Sequence, residues 1–305
     1  MISYIIKRLL GIVPVLLAVS TIVFMLIHII PGDPVDIIIG EQALQADRIA
    51  LAKDLHLDLP VIEQYGIFLK GFVKGDLGRS IHDRRPVVEH LKERYKATLM
   101  LAISAMAIAI MIAIPAGILA AIKRYSLWDS AAMFIALVGI SVPSFWLGPV
   151  LILVFSVKLN WLPIGGGGSI VSLILPSITL GAALAAMLSR MTRSSMIEEL
   201  GAEYVTVALA KGLRRIKVIF KHAFRNALNP IITIVGLQIG TLLAGTIITE
   251  KIFSWPGIGS LLMDSIYRRD YPLVQGCIIA ISFVYVIINA LTDCLYKAVD
   301  PRVKL

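Results

Sequence analysis

Charge in this chain is confined to short tracts between six long stretches that hold no Asp, Glu, Lys or Arg. They run from Leu9 to Ile30, Ala97 to Ile122, Ser130 to Val157, Leu159 to Ser189, Asn226 to Thr249 and Tyr271 to Thr292. A helix needs about 20 apolar residues to cross the hydrocarbon core, and each stretch reaches that length. The expectation is an all-α polytopic membrane protein with six transmembrane helices. Composition agrees: with 58% hydrophobic and 16% charged residues, the chain has too little charge to cover a soluble domain of its length. The fourth stretch exceeds one helix and opens with Trp161–Ser169, which holds Pro163 and four glycines. Its helix is expected from about Pro176, because proline suits a first turn.

The net charge of +9 is distributed by side. Lys7, Arg8, Lys123, Arg124, the 190–225 segment and the tail after Lys297 collect the basic residues, whereas the opposite loops hold Lys158, Lys251, Arg268 and Arg269. The positive-inside rule then makes both termini cytoplasmic and residues 31–96 and 250–270 external. Charge of this kind sets topology, and nucleic acid is not an expected partner. The first span follows a basic region, but His28-Ile-Ile-Pro-Gly-Asp offers no small-x-small cleavage site, so the helix is expected to stay. Cys277 and Cys294 fall in or at the end of the last span; they make neither a disulfide framework nor a metal site.

Three sections follow. Residues 1–96 give the first span and a large external loop region, with helical apolar spacing around Ile49 and from Ile62 to Phe72. Turn signals stand at Pro31-Gly-Asp-Pro34, Leu59-Pro60 and Gly75-Asp-Leu-Gly78. Residues 97–296 give a five-helix core, and 297–305 a cytoplasmic tail. Small residues recur every fourth position at Ala105–Ala121, at Ser177, Gly181, Ala185 and Ser189, and at Gly236, Gly240 and Ala244. In lipid such stripes let backbones approach closely; packing within the chain is the first reading, a moving or subunit-facing interface the second. Pro115, Pro143 and Pro149 are read as kinks, and Gly165–Gly168 as a mobile external loop.

Several chemistries lack their parts. Carriers coupled to protons or ions use ionisable groups at mid-membrane, and none of the six stretches contains one. His28 reads as an interface residue, and Gln238 and Asn289 as helix–helix hydrogen bonders. No H-E-x-x-H, G-x-S-x-G or P-loop motif occurs, so neither hydrolysis nor ATP binding is expected of this chain. Energy for active transport would come from another polypeptide.

That directs attention to Glu203–Arg225, a polar, basic tract between two apolar spans. It begins with a helical pattern, breaks at Gly212 and resumes with Arg214, Lys217, Lys221 and Arg225 spaced for one helix face. Ile216, Val218, Ile219 and Phe220 supply apolar contacts. One reading is an amphipathic helix on the lipid surface. The other is a helix–glycine–helix unit that docks a soluble partner, which the glycine favours because it can cap one helix in the left-handed region and turn the chain.

The tract Glu203-Tyr-Val-x-x-Ala208-x-Ala-Lys-Gly212, followed by Lys221-His-Ala-Phe-Arg-Asn-Ala-Leu-Asn-Pro230, resembles the coupling loop of binding-protein-dependent ABC importers, in the dipeptide/oligopeptide/nickel permease branch. Pro31-Gly-Asp-Pro34, Gly75-Asp-Leu-Gly-Arg-Ser80, Arg85-Pro-Val, Glu250-Lys-Ile-Phe-Ser-Trp-Pro-Gly-Ile-Gly259, Arg269-Asp-Tyr-Pro272 and Asp300-Pro-Arg302 extend the likeness over the chain. Where the general importer pattern has Glu-Ala-Ala, this chain reads Thr206-Val207-Ala208, and Glu203 stands one turn earlier.

The resemblance implies the type I importer permease fold, with cytoplasmic coupling helices in loop 190–229. It implies membership of a bacterial or archaeal cytoplasmic-membrane complex with a homologous second permease, two cytoplasmic ABC ATPases and an extracytoplasmic substrate-binding protein. The chain would be non-catalytic and bind no metal or cofactor, ATP and Mg²⁺ being used by the partner ATPases. Glu203, Tyr204, Ala208, Lys211, Gly212, Arg214, Lys217, Lys221, His222 and Arg225 would couple to the ATPases. Glu250, Lys251, Phe253, Trp255, Pro256, Gly257, Arg269 and Asp270 would form an external gate or cargo-receiving surface. The implied cargo is a di- or oligopeptide, with nickel or another small cargo such as glutathione as the alternative. Outside transport by ATPases, an ATP-independent channel or a membrane scaffold remains the competing class.

Overall fold

The computed structural model of the chain describes residues 2–29, 35, 44–54, 57–166 and 169–299. Pro31–Pro34, Gly167, Gly168 and Asp300–Arg302 lie outside them, as do the side chains of His28, Ala244 and Cys294. The described chain is helical: α1 Ile2–Ile29, α2 Gln45–Asp54, α3 Val61–Lys74, α4 Val87–Ile122, α5 Leu127–Ser141, α6 Ser144–Leu151, α7 Ile174–Leu200, α8 Glu203–Ala210, α9 Arg215–Lys217, α10 Phe224–Ile252, α11 Ile258–Arg268 and α12 Tyr271–Val299. Segments of π-helix extend α6 over Ile152–Lys158 and join α9 to α10 over Val218–Ala223.

Among the described residues, Val87–Ile122, Val171–Leu200 and Tyr271–Thr292 are long and apolar enough to cross a membrane. Two further spans exist if each bent pair counts as one: Leu127–Ser141 with Ser144–Lys158, and Arg215–Leu242 with Gly245–Ile252. The expected first span contributes the shorter apolar stretch Gly11–Met25 within α1. The third expected span is not a kinked helix but a broken one, turned by 104° at Val142-Pro143. Val142 leaves the helical region at φ −86°, ψ 117°, as the residue before a proline is pushed to do.

The chain divides into two compact units, residues 1–96 with 257–286, and 97–256 with 287–305. In the first, Tyr65 of α3 shares a 2.6 Å hydrogen bond with Thr21 of α1, and Phe24 packs on the rings of Tyr65 and Phe68. The turn after α3 uses Gly75 and Gly78 at positive φ and closes on itself through Ser80 N–H to Arg85 O. Ser80 Oγ donates to Asp270 Oδ2 at 2.5 Å, while Asp270 Oδ1 accepts from Leu273 N–H and so caps the start of α12.

The second unit is built on the small-residue stripes. A Cβ at Gly117 of α4 would stand 2.6 Å from Thr192 Cβ of α7, and one at Gly181 of α7 would stand 2.9 Å from Ala105 O of α4. Ala105, Ala109 and Ala113 are fully buried. Small residues thus bring α4 and α7 to backbone contact, the close approach that replaces a hydrophobic driving force in lipid. Gly139 of α5 meets Ala186 of α7, and Gly236 of α10 meets Thr292 of α12. Gln238 of α10 reaches Leu184 O of α7 at 3.5 Å. At one end of this bundle Arg193 of α7 grips Asp129 of α5 with both arms, Nε to Oδ1 at 2.6 Å and Nη2 to Oδ2 at 2.7 Å.

Candidate functional site

The tract Glu203–Arg225 folds as expected up to Gly212 and differently beyond it. Glu203 opens α8 from an exposed position in its first turn, where a carboxylate suits the helix dipole. Val205 and Ala208 are buried among Ile118 and Ala121 of α4 and Leu188 and Met196 of α7. Tyr204 is half-buried and its hydroxyl donates to Glu199 Oε2; burial, then this bond, hold its phenol above the usual tyrosine range against the opposing bond from Asn226. The helix ends in a left-handed turn. Gly212 has φ 78°, its N–H reaches Leu209 O at 2.9 Å and Leu213 N–H reaches Ala208 O at 3.3 Å. These bonds satisfy terminal carbonyls of α8 and reverse the chain.

Arg214 does not join the helix face predicted for it. It is extended at φ −58°, ψ 133°, because the chain leaving Gly212 needs one non-helical residue whose carbonyl accepts from Lys217 and Val218 before the next helix starts. Nor is the following helix a separate surface element. From Arg215 the chain stays helical through the π segment and into α10, with Val218, Ala223 and Phe224 all in the right-handed region. The basic run is therefore the first turns of the helical segment that continues as α10, a candidate span. Within it Val218, Ile219 and Ala223 point into the core. Ile216 and Phe220, 66% and 53% exposed, point outward, flanked by exposed Lys211, Arg214, Lys217, Lys221 and Arg225, while His222 is half-buried. Arg215, exposed in the same patch, was missed; its place in the basic run was the available signal. Val207 and Leu209 of α8 add exposed apolar surface.

The other end of α10 is buried. Glu250 has 0% exposure and accepts from Thr98 Oγ1 of α4 at 2.7 Å. Ser254 takes φ 49°, and Trp255 N–H then returns to Glu250 O at 2.8 Å. The Trp255 indole donates to Ala97 O at 2.9 Å. Phe253, 1% exposed, lies against Gly148 of α6, where a Cβ would come to 3.2 Å of its ring. Gly165 lies so close that a Cβ would stand 1.9 Å from Phe253 O, and Gly166 N–H donates to that oxygen at 3.2 Å. This glycine run was expected to be free; its described part is anchored. Of the predicted gate residues in this unit, Lys251 alone is exposed, with Pro256 half-buried. In the other unit Gly257 and Asp270 are buried, and Arg269 is exposed in a left-handed cap after α11.

Among the described residues no group of three or more His, Cys, Asp or Glu could hold a metal ion. The arrangement is that of a helical membrane subunit with a basic, apolar-studded turn at one end of a crossing helix and a sealed knot at the other. Family comparison gives the class its name. Residues 113–305 match the binding-protein-dependent transport system inner membrane component, and residues 1–102 match the N-terminal component of the same transport systems. The chain belongs to this family of ABC-importer permease subunits. It is 45% identical over 305 residues, 100% of this chain and 99% of the relative, to the glutathione transport system permease protein GsiC of Escherichia coli strain K12. The same figures hold for GsiC of Shigella flexneri serotype 5b. Its fold resembles a chain of the MetNI methionine ABC transporter in inward-facing conformations, with TM-score 0.58, 17% identity, and coverage of 70% of this chain and 97% of that one. As a permease subunit the protein is non-catalytic and binds no cofactor, ATP and Mg²⁺ being used by separate ATPase subunits. It is a multi-pass protein of the inner membrane.

Proposed function

We propose that this chain forms half of the translocation pathway of an ATP-driven importer whose cargo is glutathione, delivered by an external substrate-binding protein. The observation that carries the cargo is the 45% identity along the full length to permeases named for glutathione transport. Glutathione is itself a peptide-like solute, so the reading narrows the di- and oligopeptide expectation and takes up its alternative. A homologous second permease completes the pathway, and two ATPases dock on the cytoplasmic side.

The chain crosses the membrane six times with both termini inside, the first crossing being α1, as the basic-residue asymmetry supports. The patch made by Lys211, Arg214, Arg215, Ile216, Lys217, Phe220, Lys221 and Arg225, with Glu203, Tyr204, Ala208, Gly212 and His222 shaping it, receives one ATPase. An exposed apolar pair inside a basic rim has the anatomy of a protein interface. The 250–270 region lies outside. There the buried Glu250, Phe253, Trp255, Gly257 and Asp270 frame the gate, and Lys251, Pro256 and Arg269 present surface to the binding protein.

The test is uptake by proteoliposomes holding this chain with its partner permease, both ATPases and the binding protein. Labelled glutathione should accumulate with ATP inside and not without it. Accumulation of dipeptides or nickel in place of glutathione would overturn the cargo, and accumulation of any of them by this chain alone would overturn the importer assignment.

A further inference from the structure

The coupling tract and the Glu250 knot are two ends of one rod. Every residue from Arg215 to Ile252 belongs to a helical segment, a length of about 57 Å along the helix at 1.5 Å per residue, bent by 56° between Leu242 and Gly245. At one end stand exposed Ile216 and Phe220. At the other, a carboxyl with 0% exposure accepts from Thr98 Oγ1 at 2.7 Å, and the indole of Trp255 fastens to the carbonyl of Ala97, the neighbouring residue of α4, at 2.9 Å. The far end of α10 is thus tied to two consecutive residues of α4 by polar bonds.

The chemistry of the tie suits a joint that opens. A carboxyl kept out of water carries a large desolvation penalty in its charged form, which disappears when the group is released into water. An apolar residue at this place would lock the two helices more firmly and pay nothing for staying buried. An importer must open outward at some stage to take cargo, so a water-excluding contact at the outer end of its helices has to break and re-form. Movement of the coupling end by the ATPases reaches this contact through a continuous helical segment, which bends between Leu242 and Gly245. Coupling of this kind needs different contacts in the two states, and the Thr98–Glu250 bond supplies one.

Resting on the docking role of the Arg215–Arg225 end, we propose that Glu250 is a positioning residue for transport: it latches the outer end of α10 to Thr98 of α4, and the latch opens when the ATPases act on the other end of the same helix.

The experiment uses the complete importer in lipid nanodiscs, with Cys277 and Cys294 replaced by Ser and a pair of cysteines introduced beside the intact latch as Ala97→Cys and Lys251→Cys. A short bifunctional thiol reagent should join them without nucleotide, and joining should fall about fivefold or more with ATP and vanadate, the low end of usual coupling strengths. In a second arm, Glu250→Ala and Thr98→Val should each raise ATP hydrolysis in the absence of binding protein by about fivefold, while Thr98→Ser, which keeps the donor, restores the ordinary rate. Should Glu250→Ala fail to assemble, Thr98→Val carries this arm. Equal joining in every nucleotide state, or Thr98→Val and Thr98→Ser behaving alike, would overturn the latch. Neither arm contains cargo, so a wrong cargo assignment leaves both results unchanged. A wrong docking assignment would show separately, as ATPases that still bind when Phe220 is truncated.

Discussion

The two ends of α10 are built from similar residues to opposite purposes. Each carries a phenylalanine, a glycine nearby in sequence or space, and charged groups. At the end proposed for coupling Phe220 is about half exposed, Gly212 has nothing within 4 Å of where a Cβ would be, and the cations are exposed. At the end proposed to lie outside Phe253 is fully buried, Gly165 presses on its backbone, and the acid is sealed from water. Burial at the second end makes each residue matter to the fold. Exposure at the first frees each residue to matter to the proposed partner. Substitutions should therefore split: loss of stability at one end, loss of coupling with the fold intact at the other.

Phe253→Ala should have the largest effect on the fold. Removing a fully buried ring costs about 3–5 kcal/mol where the site cannot collapse, and here Gly148 lies against the ring. Thermal unfolding of the purified importer, followed in detergent, should show a markedly lowered midpoint. An unchanged midpoint would show that the knot collapses without loss, and the contrast between the two ends would fail.

The glycines come next. Gly165→Ala would set a methyl 1.9 Å from Phe253 O, which backbone cannot absorb without moving; an overpacking cost of about 1–3 kcal/mol is expected. Gly212→Ala meets no atom within 4 Å and is strained by its φ of 78° alone, about 1 kcal/mol. Midpoints measured side by side should place Gly165→Ala below Gly212→Ala. The reverse order would mean that the 161–166 loop is displaced freely and seals nothing.

How much of this was legible in the sequence depends on range. The uncharged stretches are local, and hydropathy finds them; α4, α10 and α12 each contain one of the six whole, and α7 holds the end of the fourth. Pro143 was legible as an interruption, but whether it kinks or breaks a helix depends on what packs beside it, and the 104° turn is a tertiary result. The stripe at Ala105–Ala121 announced close packing without naming its partner in α7. Long-range polar pairs were invisible. Thr98 and Glu250 are 152 residues apart and Asp129 and Arg193 are 64 apart, and nothing in either local pattern points to the other. Glu250 illustrates the cost: an acid just past an apolar run reads as surface, and the structure buries it completely. The continuity of the basic tract with α10 was hidden for another reason. A run of cations looks like the end of a membrane helix, although it is the end of its apolar part only.

Phe220→Ala should be the smallest change to the fold and the sharpest test of the contrast. The ring is about half exposed and sits one residue beyond Ile219, which turns into the core, so truncation removes surface and leaves the packed face of the π segment intact. Surface substitutions of this kind stay within about 0.5 kcal/mol, and the unfolding midpoint should not move measurably. Binding is another matter, because an aromatic anchor inside a basic rim is the sort of residue whose truncation costs about 2 kcal/mol or more at an interface. Retention of the two ATPases through purification should fall, and stimulation of hydrolysis by the binding protein should fall with it. Rim charges such as Lys217→Ala should do less, chiefly by making assembly more sensitive to salt. If Phe220→Ala instead lowered the midpoint as Phe253→Ala does, the coupling end would be a buried part of the fold, and its place as a docking surface would have to be given up.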